Sequence, residues 1–213
     1  MGASSLSLER LAELLQPYFV ANGIQAIDNK IVIQKIDEYL ELLLRWNART
    51  NLTAIREPEE IMRRHFGESL FAGGVLRGKL KQWASVLDFG SGAGFPGIPI
   101  QICCPDFQVV LGESQGKKAA FLREVVRTLG LVSEVWAGRV ESMPESRTFD
   151  CVVMRAVDRM DDAVSEAAKR VGPGGYLAIL AGEDAAALSG WVAEQYPVPG
   201  SHRRQMVLYT RAG

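Results

Sequence analysis

A glycine-rich run between residues 88 and 97 is the part of the sequence best suited to hold a ligand. It reads Asp88-Phe89-Gly90-Ser91-Gly92-Ala93-Gly94-Phe95-Pro96-Gly97. Glycine permits a tight turn and lets backbone N–H groups approach a ligand closely. Glu113 follows 19 residues after Gly94, where a carboxylate at a strand end can accept hydrogen bonds from both hydroxyls of a ribose. Together, the turn and the acid predict a site for a ligand that contains a nucleoside.

The spacing of the glycines separates two classes of nucleotide cofactor. A dinucleotide-binding turn reads G-x-G-x-x-G, whereas this one reads G-x-G-x-G and has Phe95 where the third glycine would stand. With Asp88 two residues before Gly90, the turn resembles the S-adenosylmethionine (SAM) sites of class I methyltransferases. SAM has no pyrophosphate, so the turn need only accommodate an amino acid and a nucleoside. A glycine-rich turn without a ligand and a nicotinamide site are the alternatives.

Several other chemistries lack the residues that they need in this sequence. There is no G-x-x-x-x-G-K-[ST] phosphate loop and no Cys/His spacing typical of a metal site. After the fourth predicted strand the chain reads Met154-Arg155-Ala156-Val157. This is neither the Asp/Asn-Pro-Pro-aromatic motif of amino-methylating enzymes nor the Pro-Cys of cytosine C5 methyltransferases. Cys103, Cys104 and Cys151 lie in apolar segments and are expected in the core. No metal is therefore predicted.

The elements that position this turn begin near Ala84, where short apolar runs alternate with helical stretches. This alternation predicts a mostly parallel, Rossmann-like α/β sheet with helices on both faces, and a ligand crevice at the carboxyl ends of its strands. The predicted strands are 85–89, 107–112, 132–136, 149–154, 175–181 and 205–210. The predicted helices are 97–104, 117–129, 160–170 and 184–195.

The first 83 residues show only helical periodicity. Leu8, Leu11 and Leu15 repeat at intervals of three or four, and a further helix is expected to begin at Pro58. The Asn- and Thr-rich segment 46–53 predicts a turn between helices. The chain is therefore expected to consist of a helical N-terminal extension over 1–83 and a SAM-binding domain over 84–213.

Composition and charge exclude several classes of protein. The chain has 213 residues, of which 47% are apolar and 23% charged, as in a soluble globular protein. No apolar run reaches about 18 residues and no signal-peptide pattern opens the chain, so neither a membrane span nor export is expected. Three cysteines, an odd number, favour the cytoplasm over a disulfide-forming compartment. Because the net charge is −1, any interaction with nucleic acid must depend on local basic clusters.

From about Trp46 to Leu180 the sequence is similar to the bacterial small-subunit ribosomal RNA guanine-N7 methyltransferases, also called the glucose-inhibited-division protein B family. The most specific part of this resemblance is the run Gly94-Phe95-Pro96-Gly97-Ile98-Pro99. The other matching motifs are Trp46-Asn47, Asn51-Leu52-Thr53, Arg64-His65, Glu68-Ser69-Leu70, Glu113-Ser114, Lys117-Lys118, Phe121-Leu122, Gly138-Arg139-Val140-Glu141 and Arg155-Ala156.

This resemblance implies a SAM-dependent enzyme that methylates N7 of one guanine in 16S rRNA near the decoding site. Its product would be S-adenosyl-L-homocysteine, and its partner the 30S ribosomal subunit. The cofactor-binding residues that the matching positions imply are Gly90 and Phe95 (lining the pocket), Gly92 and Gly94 (shaping it), Glu113 (ribose), Val140 and Glu141 (adenine), and Arg155 (beside the cofactor and the target base).

Methylation at N7 makes few demands on catalytic side chains. Guanine N7 has an in-plane lone pair, so no proton must leave before attack and no general base is needed. No residue is therefore assigned a firm catalytic role; Arg155 and His65 are candidates for positioning the base. The alternative for Arg155 is a structural ion pair with Asp150 or Asp158, and for His65 a partly buried structural role.

Basic residues near the motifs are the candidates for contacts with RNA phosphates. Taken alone, such residues usually form a solvated helix face. Three positions depart from the family's pattern: Ala181 replaces a Lys, Glu68 an Asp and Met154 a Ser. The RNA-binding candidates are Arg64, His65, Lys117, Lys118, Arg123 and Arg139.

Two further functions are compatible with the same motifs. One is a SAM-dependent methyltransferase that acts on another RNA or on a small molecule, because Ala181 lacks the expected cation. The other is a ribosome-binding module that retains SAM without turnover. Whichever function applies, a monomer is the simpler expectation for the chain.

Overall fold

A computed structural model of the chain describes residues 6–20, 26–155, 160–182 and 188–211. Its helices are α1 (Leu8–Val20), α2 (Ala26–Thr50), α3 (Pro58–Ile61), a π-helical segment (Met62–Gly67), α4 (Glu68–Lys79), α5 (Gly97–Cys103), α6 (Gly116–Thr128), a 3₁₀ turn (Val140–Ser142) and α7 (Met160–Lys169). Its strands are β1 (Ser85–Phe89), β2 (Gln108–Glu113), β3 (Glu134–Ala137), β4 (Phe149–Arg155), β5 (Val171–Ala181), β6 (Trp191–Pro197) and β7 (Gln205–Arg211).

Within these described ranges the strands form one seven-stranded sheet in the order β3-β2-β1-β4-β5-β7-β6. The first five strands are parallel, with Leu87 of β1 opposite Val110 of β2 on one side and Val152 of β4 on the other. β7 runs antiparallel between β5 and β6. β2 and β3 lie on one side of β1, whereas β4 and β5 lie on the other. This reversal of the strand order creates a crevice at the carboxyl ends of β1 and β4. The predicted Rossmann-like α/β fold is confirmed, and each predicted strand is present.

The predicted helix over 184–195 is wrong where the structure describes it. Residues 183–187 lie outside the described residues, and Trp191–Pro197 form the edge strand β6. β6 pairs with β7 along its whole length, from Trp191 opposite Arg211 to Pro197 opposite Gln205. This long-range pairing overrides a local periodicity that favoured a helix.

The predicted turn over 46–53 begins later than expected. α2 continues to Thr50, and the connection to α3 starts at Asn51, whose φ is 44°. β5 is longer than predicted: it begins at Val171 and includes the glycines at 172–175, and its register with β4 shifts between Phe149 and Cys151. In both places a longer helix or strand includes residues that locally favour turns.

The N-terminal helices share their core with the sheet. Helix α4 packs against α5, and α2 against α5 and α6. Leu43 of α2, Phe66 of the π-helical segment and Ile98 of α5 are fully buried in the same apolar cluster as Val86 of β1. The division at residue 83 stays a prediction, but the packing gives residues on either side of it one continuous interior. None of the helices in the described ranges combines the length and the apolar character that crossing a bilayer requires.

The shared core predicts that damage in α2 destabilises the sheet as well. Leu43→Ala removes a fully buried side chain and is expected to lower the free energy of unfolding by about 2–5 kcal/mol. Urea unfolding followed by far-UV circular dichroism and by tryptophan fluorescence should give coincident midpoints that both fall. The matched control is Leu8→Ala, because Leu8 is 41% exposed. Two separated transitions would contradict a single core.

Candidate functional site

The turn after β1 has the backbone geometry that its glycines predict. Gly90, Gly92 and Gly94 have φ of 72°, 57° and 91°, a region that side chains other than glycine rarely occupy. The turn is closed by the Gly94 N–H, which donates to the Ser91 carbonyl at 2.7 Å. A Cβ on Gly94 would overlap the hydroxyl of Tyr39. The result is a compact loop at the carboxyl end of β1, with Gly90 exposed to solvent.

Asp88 ties the end of β1 to the start of α5. Its carboxylate is fully buried and accepts the Gly97 N–H at 2.9 Å through Oδ2, while Oδ1 has no partner. A Cβ on Gly97 would stand 2.6 Å from that Oδ2, so the strand and the helix approach closely only with glycine there. Burial raises the pKa of Asp88 to about 7. Asp88 therefore stabilises the shape of the turn from a buried position below it.

Glu113 joins the turn after β1 to the end of β2. Its Oε2 accepts the Gly92 N–H at 2.9 Å and its Oε1 accepts the Gln115 N–H at 2.6 Å. Glu113 is 6% exposed. Each carboxylate oxygen can accept more than one hydrogen bond, so acceptor capacity remains on both oxygens. The acid expected to hold a ribose is thus already fixed in place by the loop beside it.

Val140 and Glu141 lie on the 3₁₀ turn that follows β3. Val140 is buried, and a Cβ on Gly112 of β2 would stand 2.5 Å from its Cγ2. Glu141 is exposed. These two residues therefore lie on the β2 side of the crevice, next to the strand that ends in Glu113.

Phe95 is held in an aromatic stack at the other end of the glycine turn. Its ring is parallel to Tyr39 at 5.3 Å and to His65 at 4.8 Å between centroids, and Phe66 meets it edge-on. The Tyr39 hydroxyl donates to the carbonyl of Ala93. Because these three rings leave Phe95 only 7% exposed, its backbone and a small part of its ring are what it can present to a ligand.

His65 is neutral and lies in the π-helical segment, a kind of distortion frequent at functional sites. Its Nε2 is 2.7 Å from the Thr53 hydroxyl oxygen, and its buried Nδ1 has no partner. Burial, reinforced by the positive charges of Arg155 and Arg64, lowers the pKa of His65 to about 3. A ring with that pKa is a weak base near neutral pH.

One buried carboxylate gathers three arginines beside this stack. Glu68 lies 3.2 Å from Nε of Arg64, 3.2 Å from Nη2 of Arg155 and 2.7 Å from Nη2 of Arg204. The alternative considered for Arg155, an ion pair, is present, but its partner is Glu68. Asp150 is not that partner and accepts hydrogen bonds from Ser85.

Two residues of this cluster carried no signal in the sequence that would reveal their part in it. Arg204 belongs to no motif and reaches the cluster only through the pairing of β7 with β5. Glu68 begins the matching run Glu68-Ser69-Leu70, where it replaces the family's Asp, but nothing in that run indicates a cluster of arginines. Asp158, the other partner considered for Arg155, lies outside the described residues.

The RNA-binding candidates lie at different distances from the crevice. Lys117 and Lys118 lie in the first turn of α6, directly after the end of β2, and Arg139 precedes the 3₁₀ turn. Arg123 stands two turns into α6, roughly 10 Å further from this edge by helical rise. Arg64 is already paired with Glu68. Lys117, Lys118 and Arg139 are thus the candidates nearest the rim, and in the described ranges no salt bridge engages them.

No metal centre is present in the part of the chain that the structure describes, where no group of three or more His, Cys, Asp or Glu side chains is placed to hold an ion. Cys103, Cys104 and Cys151 are buried and free, as expected for core residues.

Comparisons with known proteins agree with this architecture. Residues 32–194 match the family model GidB, described as rRNA small subunit methyltransferase G. The chain is 43% identical over 171 residues to the ribosomal RNA small subunit methyltransferase G of Xylella fastidiosa strain 9a5c, across 78% of this chain and 74% of that protein. It is 42% identical over 182 residues to the protein of the same name from Stenotrophomonas maltophilia strain K279a, across 81% and 84%.

A solved structure of a SAM dependent methyltransferase from Aquifex aeolicus is similar to this chain in fold. It superposes with a TM-score of 0.53 at 20% identity, and covers 72% of this chain and 93% of its own.

The environment of His65 predicts a ring that does not titrate near neutrality. Because its pKa in the folded chain is about 3, its ring NMR signals should keep the neutral form's chemical shifts from pH 8 down to pH 5. Signals lost in a His65→Asn variant identify the residue. The unfolded chain binds this proton first as the pH falls, so His65 lowers stability progressively from about pH 6.5 to pH 3. A titration midpoint near 6.5 would refute the buried, unprotonated ring.

Asp88 predicts the opposite dependence. Its pKa of about 7 lies above the ordinary 3.8, so the unfolded chain releases this proton first as the pH rises, and stability is lost between about pH 4 and pH 7. Asp88→Asn keeps an oxygen for the Gly97 N–H and stays neutral. Its free energy of unfolding relative to the parent chain should therefore increase between pH 4 and pH 7, as measured by urea unfolding. Glu38→Gln, an exposed position on α2, is the control for the loss of a carboxylate at the surface.

Proposed function

The chain belongs to the rRNA small subunit methyltransferase G family, and on that premise we propose that it transfers the methyl group of SAM to N7 of a guanine in 16S rRNA. The observation that carries this proposal is the continuity of two groups of residues at the carboxyl ends of β1 and β4. The glycine turn and Glu113 suit a nucleoside. Phe95, at the end of that turn, stacks on His65, which lies beside the three arginines around Glu68.

The residues present fit SAM at the glycine turn. Glu113 keeps acceptor capacity for the ribose hydroxyls while the Gly92 N–H holds it in place. Gly90, Gly92, Gly94 and the edge of Phe95 shape the part of the crevice for the amino-acid portion. When bound, SAM supplies an electrophilic methyl group on a positively charged sulfur.

The adenine portion of SAM is assigned to the β2 side of the crevice. Val140 contributes an apolar wall and Glu141 an exposed acidic side chain that can read the polar edge of the base. No metal takes part in this proposal, since methyl transfer to N7 needs none.

The ionisable groups beside the crevice support N7 as the acceptor atom. His65 is a weak base and Glu68 is occupied by three guanidinium groups. Neither is suited to remove a proton, and guanine N7 has none to lose. The role of the protein is then to hold N7 in line with the methyl carbon and the sulfur, which is a large source of rate enhancement.

Arg155 is assigned to positioning rather than to charge stabilisation. During transfer positive charge moves onto the purine, so a nearby guanidinium does not stabilise it. A guanidinium can instead donate to the O6 edge of guanine or to a phosphate. His65, stacked on Phe95, is the second positioning candidate.

The RNA substrate is expected to cross the rim beside α6. Lys117, Lys118 and Arg139 are available there for phosphate contacts, and the 30S subunit in the cytoplasm is the proposed partner. Ala181, at the end of β5, pairs with Gln205, so Arg204 stands next to the position where the family pattern has a Lys. A cation is thus present near that end of the crevice in spite of Ala181.

The direct test is methyl transfer from labelled SAM to unmodified 30S subunits and to naked 16S rRNA. Sites of 7-methylguanine are mapped by borohydride and aniline cleavage, and a single cleavage in a decoding-region loop is expected. Glu113→Gln removes the charged acceptor and should weaken SAM binding about 10- to 100-fold, as charge-assisted hydrogen bonds are worth roughly 1.5–3 kcal/mol. Calorimetric titration with SAM measures this, with Glu41→Gln, exposed on α2, as the control.

Each contrary outcome has a distinct meaning. Methylation of a different RNA or of a small molecule alone would replace the substrate. SAM binding without transfer to any ribosomal substrate would leave a binding module. An unchanged SAM affinity in Glu113→Gln would remove Glu113 from the cofactor site.

A further inference from the structure

We propose that Arg64, Arg155 and Arg204, arranged around Glu68, form a binding site for one backbone phosphate of the RNA, and that Arg204 is a further substrate-positioning residue. This inference rests on the proposed function, because it takes the anion from the same RNA. Arg204, the residue directly before β7, is the member that the cofactor and rRNA motifs do not include.

The first support is an excess of positive charge. Three guanidinium groups surround a single carboxylate that is 2% exposed, and within the described ranges no other acid forms a salt bridge with them. The cluster therefore has a net charge of about +2, partly removed from water. Burial and the neighbouring arginines lower the pKa of Arg155 to about 10. Such a site is more stable when an anion offsets the charge.

The second support is that several N–H donors of the three arginines are not used by Glu68. Glu68 is saturated: Oε1 accepts from Nε of both Arg64 and Arg204, and Oε2 lies against Nη2 of both Arg155 and Arg204. Nη1 of Arg155 is buried without any partner, and that side chain is only 8% exposed. Each guanidinium carries five N–H donors, so several remain for a ligand with more than one oxygen.

The third support is how firmly the site is built. Arg64 belongs to the π-helical segment, Glu68 begins α4, Arg155 ends β4 and Arg204 precedes β7. Glu68 holds Arg204 in a two-point contact, with N···O distances of 3.1 and 2.7 Å. Arginines fixed in this way lose little freedom when they bind, and phosphate is an oxyanion that they recognise in a two-point geometry.

The position of the cluster favours a phosphate of the RNA over the carboxylate of SAM, which is the other oxyanion in the reaction. Exposure rises from Arg155, at 8%, through Arg204, at 20%, to Arg64, at 43%. The donors thus lead from the buried end of β4 out to solvent, where a polynucleotide can pass. Arg64 also directly precedes His65, which stacks on Phe95.

The experiment measures binding of a fluorescein-labelled naked 16S rRNA transcript by the full chain between 50 and 300 mM KCl, without SAM. Each phosphate contact contributes about 0.7–0.9 to the slope of log K against log salt concentration. Arg204→Gln should reduce that slope by about this amount while the calorimetric affinity for SAM stays unchanged. Arg204→Lys keeps the charge and should retain the slope, with a higher KM for RNA because the planar fork is lost.

The matched control is Arg147→Gln. Arg147 also pairs with a glutamate, Glu134, but it lies near the start of β4, at the amino ends of the strands and away from the crevice. This variant should keep the parent's salt slope. If Arg204→Gln does not fold, Arg64→Gln is the substitute, since Arg64 is more exposed and touches Glu68 at one atom pair.

Three results would overturn the inference. A weaker SAM affinity with an unchanged salt slope would make the cluster a site for the cofactor's carboxylate. A lower melting temperature of Arg204→Gln, with unchanged salt slope and SAM affinity, would make the cluster a structural ion pair. Failure of the parent chain to bind the transcript would show that RNA is not the ligand of the cluster. A reduced slope in a protein that does not methylate 16S rRNA would retain the phosphate site and reject the proposed function alone.

Discussion

The hydrogen bond from the Tyr39 hydroxyl to the Ala93 carbonyl is the contact on which the arrangement of the site depends. Tyr39 comes from α2 and is fully buried, while Ala93 is in the glycine turn after β1. Glycines make that turn possible, but they do not by themselves choose one conformation, because glycine is the least restricted residue. The Tyr39 side chain, packed against Phe95 and Phe66, supplies the restriction from outside the sheet. The N-terminal helices thus help to shape the proposed cofactor site as well as the core.

The two ends of the crevice have contrasting electrostatics. At the glycine turn the acidic group fixed across the turn is Glu113. Asp88, beneath the turn, has a pKa that burial raises to about 7 and carries only part of a charge near neutral pH. At the other end, three guanidinium groups outnumber the single carboxylate of Glu68. A cationic cofactor and a polyanionic substrate would each meet charge of the opposite sign. Such complementarity orients two ligands before any specific contact forms.

The features that could be predicted from the sequence are those encoded over short distances. The positive φ values of Gly90 and Gly94, the position of Glu113 at a strand end and the parallel strands all follow from spacing and periodicity. The edge strand β6 and the contact of Arg204 with Glu68 were not predictable in this way. Both depend on the antiparallel pairing of β7. In the case of Arg204 this pairing brings together residues more than 130 positions apart in the sequence. Nothing in the sequence around Arg204 distinguishes it from a solvent-exposed arginine.

The placement of β7 has a consequence for how the site comes into being. β7 is the last strand in the described chain, yet it lies inside the sheet, between β5 and β6, and Arg204 immediately precedes it. During synthesis from the N-terminus, the glycine turn, Glu113 and Arg155 are all made before this strand. Arg204 can reach Glu68 only when β7 has paired with β5. A sheet without its inserted last strand therefore lacks one of the three guanidinium groups around Glu68, so the proposed phosphate site exists only in the complete fold.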